Sequence, residues 1–288
     1  MGGRRRAAIR RGPGMNAKQT IAACPVMVGI NVDIDAVDAA NAGEAGLFGR
    51  YSYGRYGARE GIWHLLHALA DNGAHATFFV IPEDLERHPR VLAAILDGGH
   101  ELAVRGLVRE RAGAPETLDR LAADRDALQR IAGVRPQGWR ALNGIATAAT
   151  LPALAAAGYA YDSSAQDDDN PYVMAAPGGA ALVELPVFDY LTDSLFFAQR
   201  HSDARAAKAW REEADAQYCA GGYVNLTLHT RGDSGSGRPP RARRVGEFLR
   251  ELGRRPGVAF YRADQLAAAW RAAHPATEPY PVMLAPEL

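Results

Sequence analysis

Short apolar runs alternate with helix-patterned stretches along almost the whole body of the chain, and that alternation leaves few folds open to it. PVMVGINVDI at 25–34 reads as a buried strand and a Gly- and Tyr-rich loop at 41–57 follows. AREGIWHLLHALADNG at 58–73 then carries apolar residues at Ile62, Leu65, Leu66 and Leu69, the spacing of one helix face. The unit recurs as HATFFVI at 75–81 before a helix at 88–98, as HELAV at 100–104 before 115–132, and as QGWRA at 137–141 before 147–157. It continues through YAYDS at 159–163, ALVELPV at 181–187, YVNLTLH at 223–229 before 241–253, and GVAFY at 257–261 before a last helix. Strands separated by helices pair in parallel, and no Gly-rich dinucleotide turn follows the first strand. The expected fold class is therefore α/β, a distorted (β/α) barrel of about seven to eight parallel strands.

With 288 residues, 48% of them apolar and 23% charged, the chain can bury one sizeable core. The expected organisation is a disordered basic leader over 1–20 and a single barrel domain over 21–288. Five arginines sit in the opening MGGRRRAAIRRGPG, whose Gly, Pro and Arg content cannot bury a core, and Met15 is a candidate natural start. Because the whole chain is formally neutral, the remainder carries five more acidic than basic groups and has no basic footprint for nucleic acid. The leader lacks the apolar stretch of a secretory signal, and no run approaches the roughly 18 apolar residues of a membrane span, so a cytoplasmic protein without membrane contact is expected. Cys24 and Cys219 show no metal or redox spacing, which suggests reduced, buried thiols.

Polar residues fall at the ends of the expected strands, where barrels gather their chemistry. Asp33 and Asp35 end the first, Arg105 follows the third, Arg140 ends the fourth and Asp162 the fifth. Glu184 and Asp189 bracket the sixth and His229 ends the seventh. Any one of them could be a cap or an ion-pair partner; their joint placement points to one rim.

Several motifs now carry a resemblance. VDID, SYGRYGAREG, ATFFV, a GHE turn, GWRA, YDSS with DDDNPY, ELPV, and LTLH followed by GRP succeed one another between about residues 26 and 275. This succession resembles the polysaccharide deacetylase (NodB-homology) family, carbohydrate esterase family four. YGAREG, YDSS…DDDNPY and LTLH…GRPPR resemble its branch of peptidoglycan deacetylase-like proteins, cyclic imide hydrolases and metal-independent allantoinases, which tends to act on small amides. The resemblance implies that Asp33 matches the general base, Asp35 the metal-binding aspartate, Arg140 the arginine that orients the base, and His229 the proton donor to the leaving group. It also implies a homo-oligomer.

The departure from the family lies in HELAVRGLVRE at 100–110, where Arg105 and Arg109 stand in place of two metal-binding histidines. A guanidinium has five donors, no lone pair to give and a permanent charge, so no metal and no other cofactor is expected. Arginines aimed at a developing oxyanion can supply part of what a metal supplies. The expected activity is metal-independent hydrolysis of a non-peptide carbon–nitrogen bond in a small amide, imide or ureide. Asp33, His229, Arg140, Arg105 and Arg109 are the expected catalytic residues, and Asp35, Tyr56, Arg59 and Asn143 the expected substrate contacts. Two alternatives stay open. One is a degenerate homologue that binds a ligand or partner, since an arginine tied bidentately to Asp33 would lower its basicity. The other is a cytoplasmic carbohydrate N-deacetylase, which would need an open groove with exposed aromatics.

Other candidates point to structure. His64 and His67 share a helix face beside Trp63 without a third ligand, and His75 and His100 suit backbone hydrogen bonding. Asp167, Asp168 and Asp169 suit a solvated turn before Asn170-Pro171, and Trp63, Trp139, Trp210 and Trp270 suit the core. The loop with Glu44, Tyr53, Arg55, Tyr56 and Arg59 is expected to wall the barrel mouth. Ser234 and Ser236 suggest a flexible lid, and without a GxSxG elbow they are not nucleophiles.

Overall fold

The structure, a computed structural model, describes residues 21–43, 46–106, 116–144, 146, 150–175, 181–275 and 278–279. Its strands are β1 (Cys24–Val32), β2 (Thr77–Val80), β3 (Glu101–Arg105), β4 (Gly138–Arg140), β5 (Tyr161–Asp162), β6 (Tyr172–Ala175), β7 (Ala181–Glu184), β8 (Val224–His229), β9 (Val258–Tyr261) and β10 (Glu278–Pro279). They form one sheet in the order β10-β6-β7-β5-β4-β3-β2-β1-β8, with β9 on the first half of β1. Every pairing is parallel except β6 with β7.

The sheet curls until its two sides meet. After β7 the chain turns back toward β8, where Thr192 bridges Thr227 and Asn225 Nδ2 donates to Pro186 O at 2.8 Å. The wall is thus the distorted parallel barrel expected, with β1, β2, β3, β4, β5, β7 and β8 around it. Two apolar clusters follow from the period-2 alternation of side chains. On β1, Val26, Val28, Ile30 and Val32 pack outward with residues of the surrounding helices such as Ile62, Leu65, Leu69 and Phe248. Met27 belongs instead to the barrel interior, with Phe79, Ala103, Tyr161, Val183, Leu185 and Tyr223. Because both faces are covered, all nine residues of β1 are buried, which is why it reads as an unbroken apolar run.

The same parity places the chemistry. Asn31 and Asp33 follow Met27 on the inner face of β1, Arg105 follows Ala103 on β3, and His229 lies on the inner phase of Tyr223, Asn225 and Thr227 on β8. Parallel register sets Arg105 beside Arg140 and Asn31 beside His229. Gly29 completes the inner row of β1, and a Cβ there would come within 2.7 Å of Arg140 Nη1, so this position must be bare for the guanidinium to lie across the barrel.

Sequence patterns left several elements unread. The helix Asp203–Ala220 has a Ser202 N-cap and a left-handed Gly221 after it, and it buries Ala206, Trp210 and Ala214. The antiparallel β6 follows the acidic turn 167–169, whose Asp167 accepts from Tyr172 OH and whose Asp168 accepts from Asn170 N. A separate short helix, Pro82–Arg87, precedes Pro89–Asp97. Trp139 and Trp210 are fully buried, as their apolar context suggests, whereas Cys219 is exposed and only Cys24 is the buried thiol expected. No helix among the described residues is long and apolar enough to cross a membrane.

Candidate active site

The inner rim of β1, β3, β4, β5 and β8 opens on a cavity of about 250 Å³. Asn31, Arg105, Arg140, Ser163, Ser164, Thr192, Thr227 and His229 are among the residues lining it. Arg105 does not reach into this space as a free cation. Its Nε donates to Asp33 Oδ1 at 2.8 Å and its Nη2 to Oδ2 at 3.3 Å, while Nη1 donates to Ala141 O at 3.0 Å. Both partners are buried, at about 4% exposure. Burial alone would raise the Asp33 carboxyl, but the Arg105 charge and hydrogen bonds, with smaller help from His229 and Arg231, hold it below the usual carboxylate value.

The role expected of Arg140 is therefore taken by Arg105. Arg140 donates through Nε to Ser163 O at 2.9 Å and through Nη2 to Ser163 Oγ at 2.7 Å, with longer contacts of 3.4 Å from Nη1 to Asn31 Oδ1 and Thr227 Oγ1. Its guanidinium lies 3.9 Å from the centroid of the Phe79 ring. No described carboxylate lies within ion-pair distance of it. Burial brings it down to about 10, and the neighbouring Arg105 pushes the same way.

His229 is fixed from both ends. Its Nδ1 lies 2.7 Å from Asp193 Oδ1, and Asp193 Oδ2 accepts from His229 N at 2.9 Å and Ser236 N at 2.7 Å. Its Nε2 lies 3.0 Å from Asn31 Nδ2 and 4.0 Å from Asp33 Oδ2. A guanidinium can only donate, so Asn31 turns its Oδ1 to Arg140 and its Nδ2 to His229. His229 Nε2 must then accept, and the ring proton sits on Nδ1, held by Asp193. This chain, Arg140 to Asn31 to His229 to Asp193, sets the tautomer. The single Nε2 lone pair is engaged by Asn31 Nδ2, so His229 takes up a proton there only when that amide turns aside. Neither Asn31 nor Asp193 was singled out in the sequence. The one available signal was the inner-face phase that Asn31 shares with Asp33; Asp193 comes from a five-residue helix, Asp193–Phe197, with no pattern of its own.

Other expected site residues lie elsewhere. Asp35 opens the helix Asp35–Ala42 and pairs with Arg55 at 3.2 Å, and Tyr56 packs under Arg238 and donates to Gly237 O at 3.3 Å. Arg59 lines a different groove. None of the three lines the cavity. Arg109 falls outside the described residues; Asn143 lies in the short turn Leu142–Gly144 at the rim, and its side chain is likewise outside.

YGAREG is a packing motif in this fold. A Cβ on Gly61 would come within 2.0 Å of Thr230 O, so the helix presses directly on the backbone after β8. The segment 230–238 is not the lid expected from Ser234 and Ser236. Ser236 is fully buried and tied to Asp193, and Arg231 bridges Asp38 and Asp233. Asp162 and Glu184, paired in register, leave the rim as well. Burial drives both carboxyls upward, Asp162 raises Glu184 further while the hydrogen bond with Glu184 favours the Asp162 carboxylate, and they hold the backbone of Ser163, Ser164 and Ala165. His100 accepts from Ala76 N through Nδ1, the structural job its position suggests.

Barrel and rim together define a NodB-type α/β barrel. Residues 52–161 match the sequence profile of the polysaccharide deacetylase family. A candidate polysaccharide deacetylase from Mycobacterium smegmatis of known crystal structure is 31% identical, with 93% of this chain and 96% of that chain covered and a TM-score of 0.83. The chain belongs to the polysaccharide deacetylase family. The fold is shared at lower identity with a candidate polysaccharide deacetylase from Pseudomonas aeruginosa PAO1, at 21% identity, 89% and 93% coverage and a TM-score of 0.76. It is shared equally with PuuE allantoinase, at 22% identity, the same coverage and a TM-score of 0.77. No match was found among curated proteins.

The metal that the family implies does not fit these residues. Among the described residues no three His, Cys, Asp or Glu side chains cluster in a way that could hold an ion. The Arg105 guanidinium already neutralises Asp33, and Asp35 is engaged by Arg55.

Proposed function

We propose that the protein hydrolyses a carbon–nitrogen bond of a small amide, imide or ureide without a metal, with His229 as the proton-transferring residue. The observation that carries this reading is the Asp193–His229 pair, whose Nε2 is the ring's acceptor at the wall of a small cavity and comes free for a water once Asn31 Nδ2 releases it. The Asp33 base expected from the sequence is disfavoured, because a carboxylate clamped bidentately by Arg105 is a weaker base and is not among the groups lining the cavity.

In this mechanism His229 Nε2 takes a proton from water as the water attacks the carbonyl carbon. Asp193 stabilises the resulting imidazolium, and Nε2 returns the proton to the departing nitrogen. The N–H groups of Arg140 and Arg105 at the cavity wall face the developing oxyanion. Removing one such donor typically costs about 3–4 kcal/mol of transition-state stabilisation. Asp33 keeps Arg105 in place and adds a negative charge 4.0 Å from His229 Nε2. An activated ring such as a cyclic imide is the best electrophile for a site lacking a Lewis acid, and a cavity of about 250 Å³ suits such a ring better than a sugar polymer. PuuE allantoinase, of like fold, fits a small-amide substrate.

A second reading is favoured by one observation, the Arg105–Asp33 clamp itself: a ligand-binding homologue whose old metal position is filled by an ion pair. Assay of purified protein against hydantoins, cyclic imides and ureides separates the two. Opening of at least one ring, lowered roughly 10²- to 10⁴-fold by His229→Gln, supports hydrolysis. Failure to open any of them leaves the ligand-binding reading.

A further inference from the structure

A second groove, of about 410 Å³, lies between the turn Gly57–Gly61 with its following helix Ile62–Ala70 and the start of the helix Pro89–Asp97. Three arginines, Arg59, Arg87 and Arg90, and His88 stand over a floor of Ala58, Trp63, Pro89 and Val91. No acidic side chain lines it, and Glu60 and Glu86, beside these arginines in sequence, turn to solvent outside the groove. Some other arginines of the described surface are paired with carboxylates, as Arg211 is with Glu251 and Arg244 with Asp203. Arg59 and Arg90 have no ion pair or hydrogen bond with the described residues. The His88 Nε2 atom is buried in the wall without a hydrogen-bond partner, 4.0 Å from Asp35 Oδ2. The positive end of the Pro89–Asp97 helix faces the same space.

The guanidinium groups of Arg59 and Arg90 and a helix N-terminus around one concavity free of carboxylates suit a multivalent oxyanion. The apolar floor with Trp63 suits an organic group attached to that anion. We propose that this groove binds the phosphate of a small phosphate monoester, with Arg59 and Arg90 as the principal contacts. The site is separate from the cavity under β1 and β8 and does not depend on the reaction there.

Isothermal titration of the full-length protein with phenyl phosphate at fixed ionic strength tests it. The expected result is saturable one-site binding, tighter than for inorganic phosphate and weakened at least tenfold when Arg59→Glu and Arg90→Glu are combined. The exposed control Arg250→Glu, on the helix Pro239–Gly253, leaves binding unchanged. Absence of saturation, an unchanged affinity in the double variant, an equal loss in the control, or equal affinity for inorganic phosphate overturns the proposal.

Discussion

Arg105 and Asp33 face each other across the mouth of the barrel, Nε to Oδ1 at 2.8 Å and Nη2 to Oδ2 at 3.3 Å, both nearly inaccessible to water. This fork-on-fork contact occupies the spot where the family resemblance leads one to expect a metal and a free base, and it is the reason the proposed mechanism gives the proton chemistry to His229.

A buried pair of this kind is costly to break from one side. Asp33→Asn and Arg105→Met each leave an uncompensated group in the interior, and each is expected to lower unfolding free energy by about 3–5 kcal/mol. The combined substitution is expected to cost much less than the sum of the two. Denaturant titration of both single variants and the double variant gives the coupling.

In the proposed mechanism Asp193 acts through His229, whose Nδ1 it holds at 2.7 Å. Asp193→Asn keeps the shape but weakens the hold on the Nδ1 proton, so kcat on any substrate that the protein opens should fall by roughly 10³- to 10⁴-fold with KM little changed. The same variant should let the proton move to Nε2, which long-range proton–nitrogen NMR of the His229 ring reports directly. An unaltered ring tautomer would remove Asp193 from the mechanism.

Gly29 tests the placement of Arg140. Gly29→Ala puts a methyl group 2.7 Å from Nη1, and the guanidinium must shift off Asn31 and Thr227. An overpacking cost of about 1–3 kcal/mol is expected, together with a loss of activity larger than that produced by Gly246→Ala, where an added methyl meets only ordinary contacts of 3.6 Å or more. Thermal melts and kinetics of the two variants make the comparison.

The acid groups outside the cavity give the protein a pH signature. Burial pushes the Asp84 carboxyl up to about 7, only partly offset by the bonds it accepts from Ala36 N at 2.9 Å and Ile34 N at 3.1 Å. Burial also raises Glu101, which accepts from Thr77, Tyr161 and Asp264 N. The folded chain keeps these protons through a range in which the unfolded chain, titrating near 4, has lost them, so stability falls as pH rises from about 4 to 7. Asp33, held low, works in the opposite direction below pH 4, where its stabilisation is lost. Calorimetric melting points should therefore be higher at pH 5 than at pH 8, by at least about 2–4 °C, and Glu101→Gln should narrow the difference.

The barrel was legible because parallel strands buried on both faces are near-continuous apolar runs, and β1 and β2 stood out that way, while β8 alternates Val224, Leu226 and Leu228 with Asn225 and Thr227. Position at the strand ends is how Asp33, Arg105, Arg140 and His229 came out on one rim, and alternation turns them inward. What alternation cannot say is which charge pairs with which. Arg140 and Arg105 are neighbours in register, and the choice of which one takes Asp33 depends on side-chain reach across the barrel. Asp35 and Tyr56 lie outside the cavity because a loop after a first strand can wall the mouth or pack on the strand ends, and the glycines of YGAREG, pressed on Thr230, favour packing. The helix Asp203–Ala220 was missed because its mixture of Ala, Arg and Glu dilutes the apolar stripe of Ala206, Trp210 and Ala214.

The most direct test of the account is turnover of a cyclic imide or ureide by protein dialysed against a strong chelator, compared with the same protein supplied with zinc. The account predicts an equal kcat/KM in both, and a fall in both when His229 or Asp193 is changed. Loss of activity on chelation with recovery on zinc addition would contradict it, because an ion would then be working at a place that Arg105 is claimed to fill.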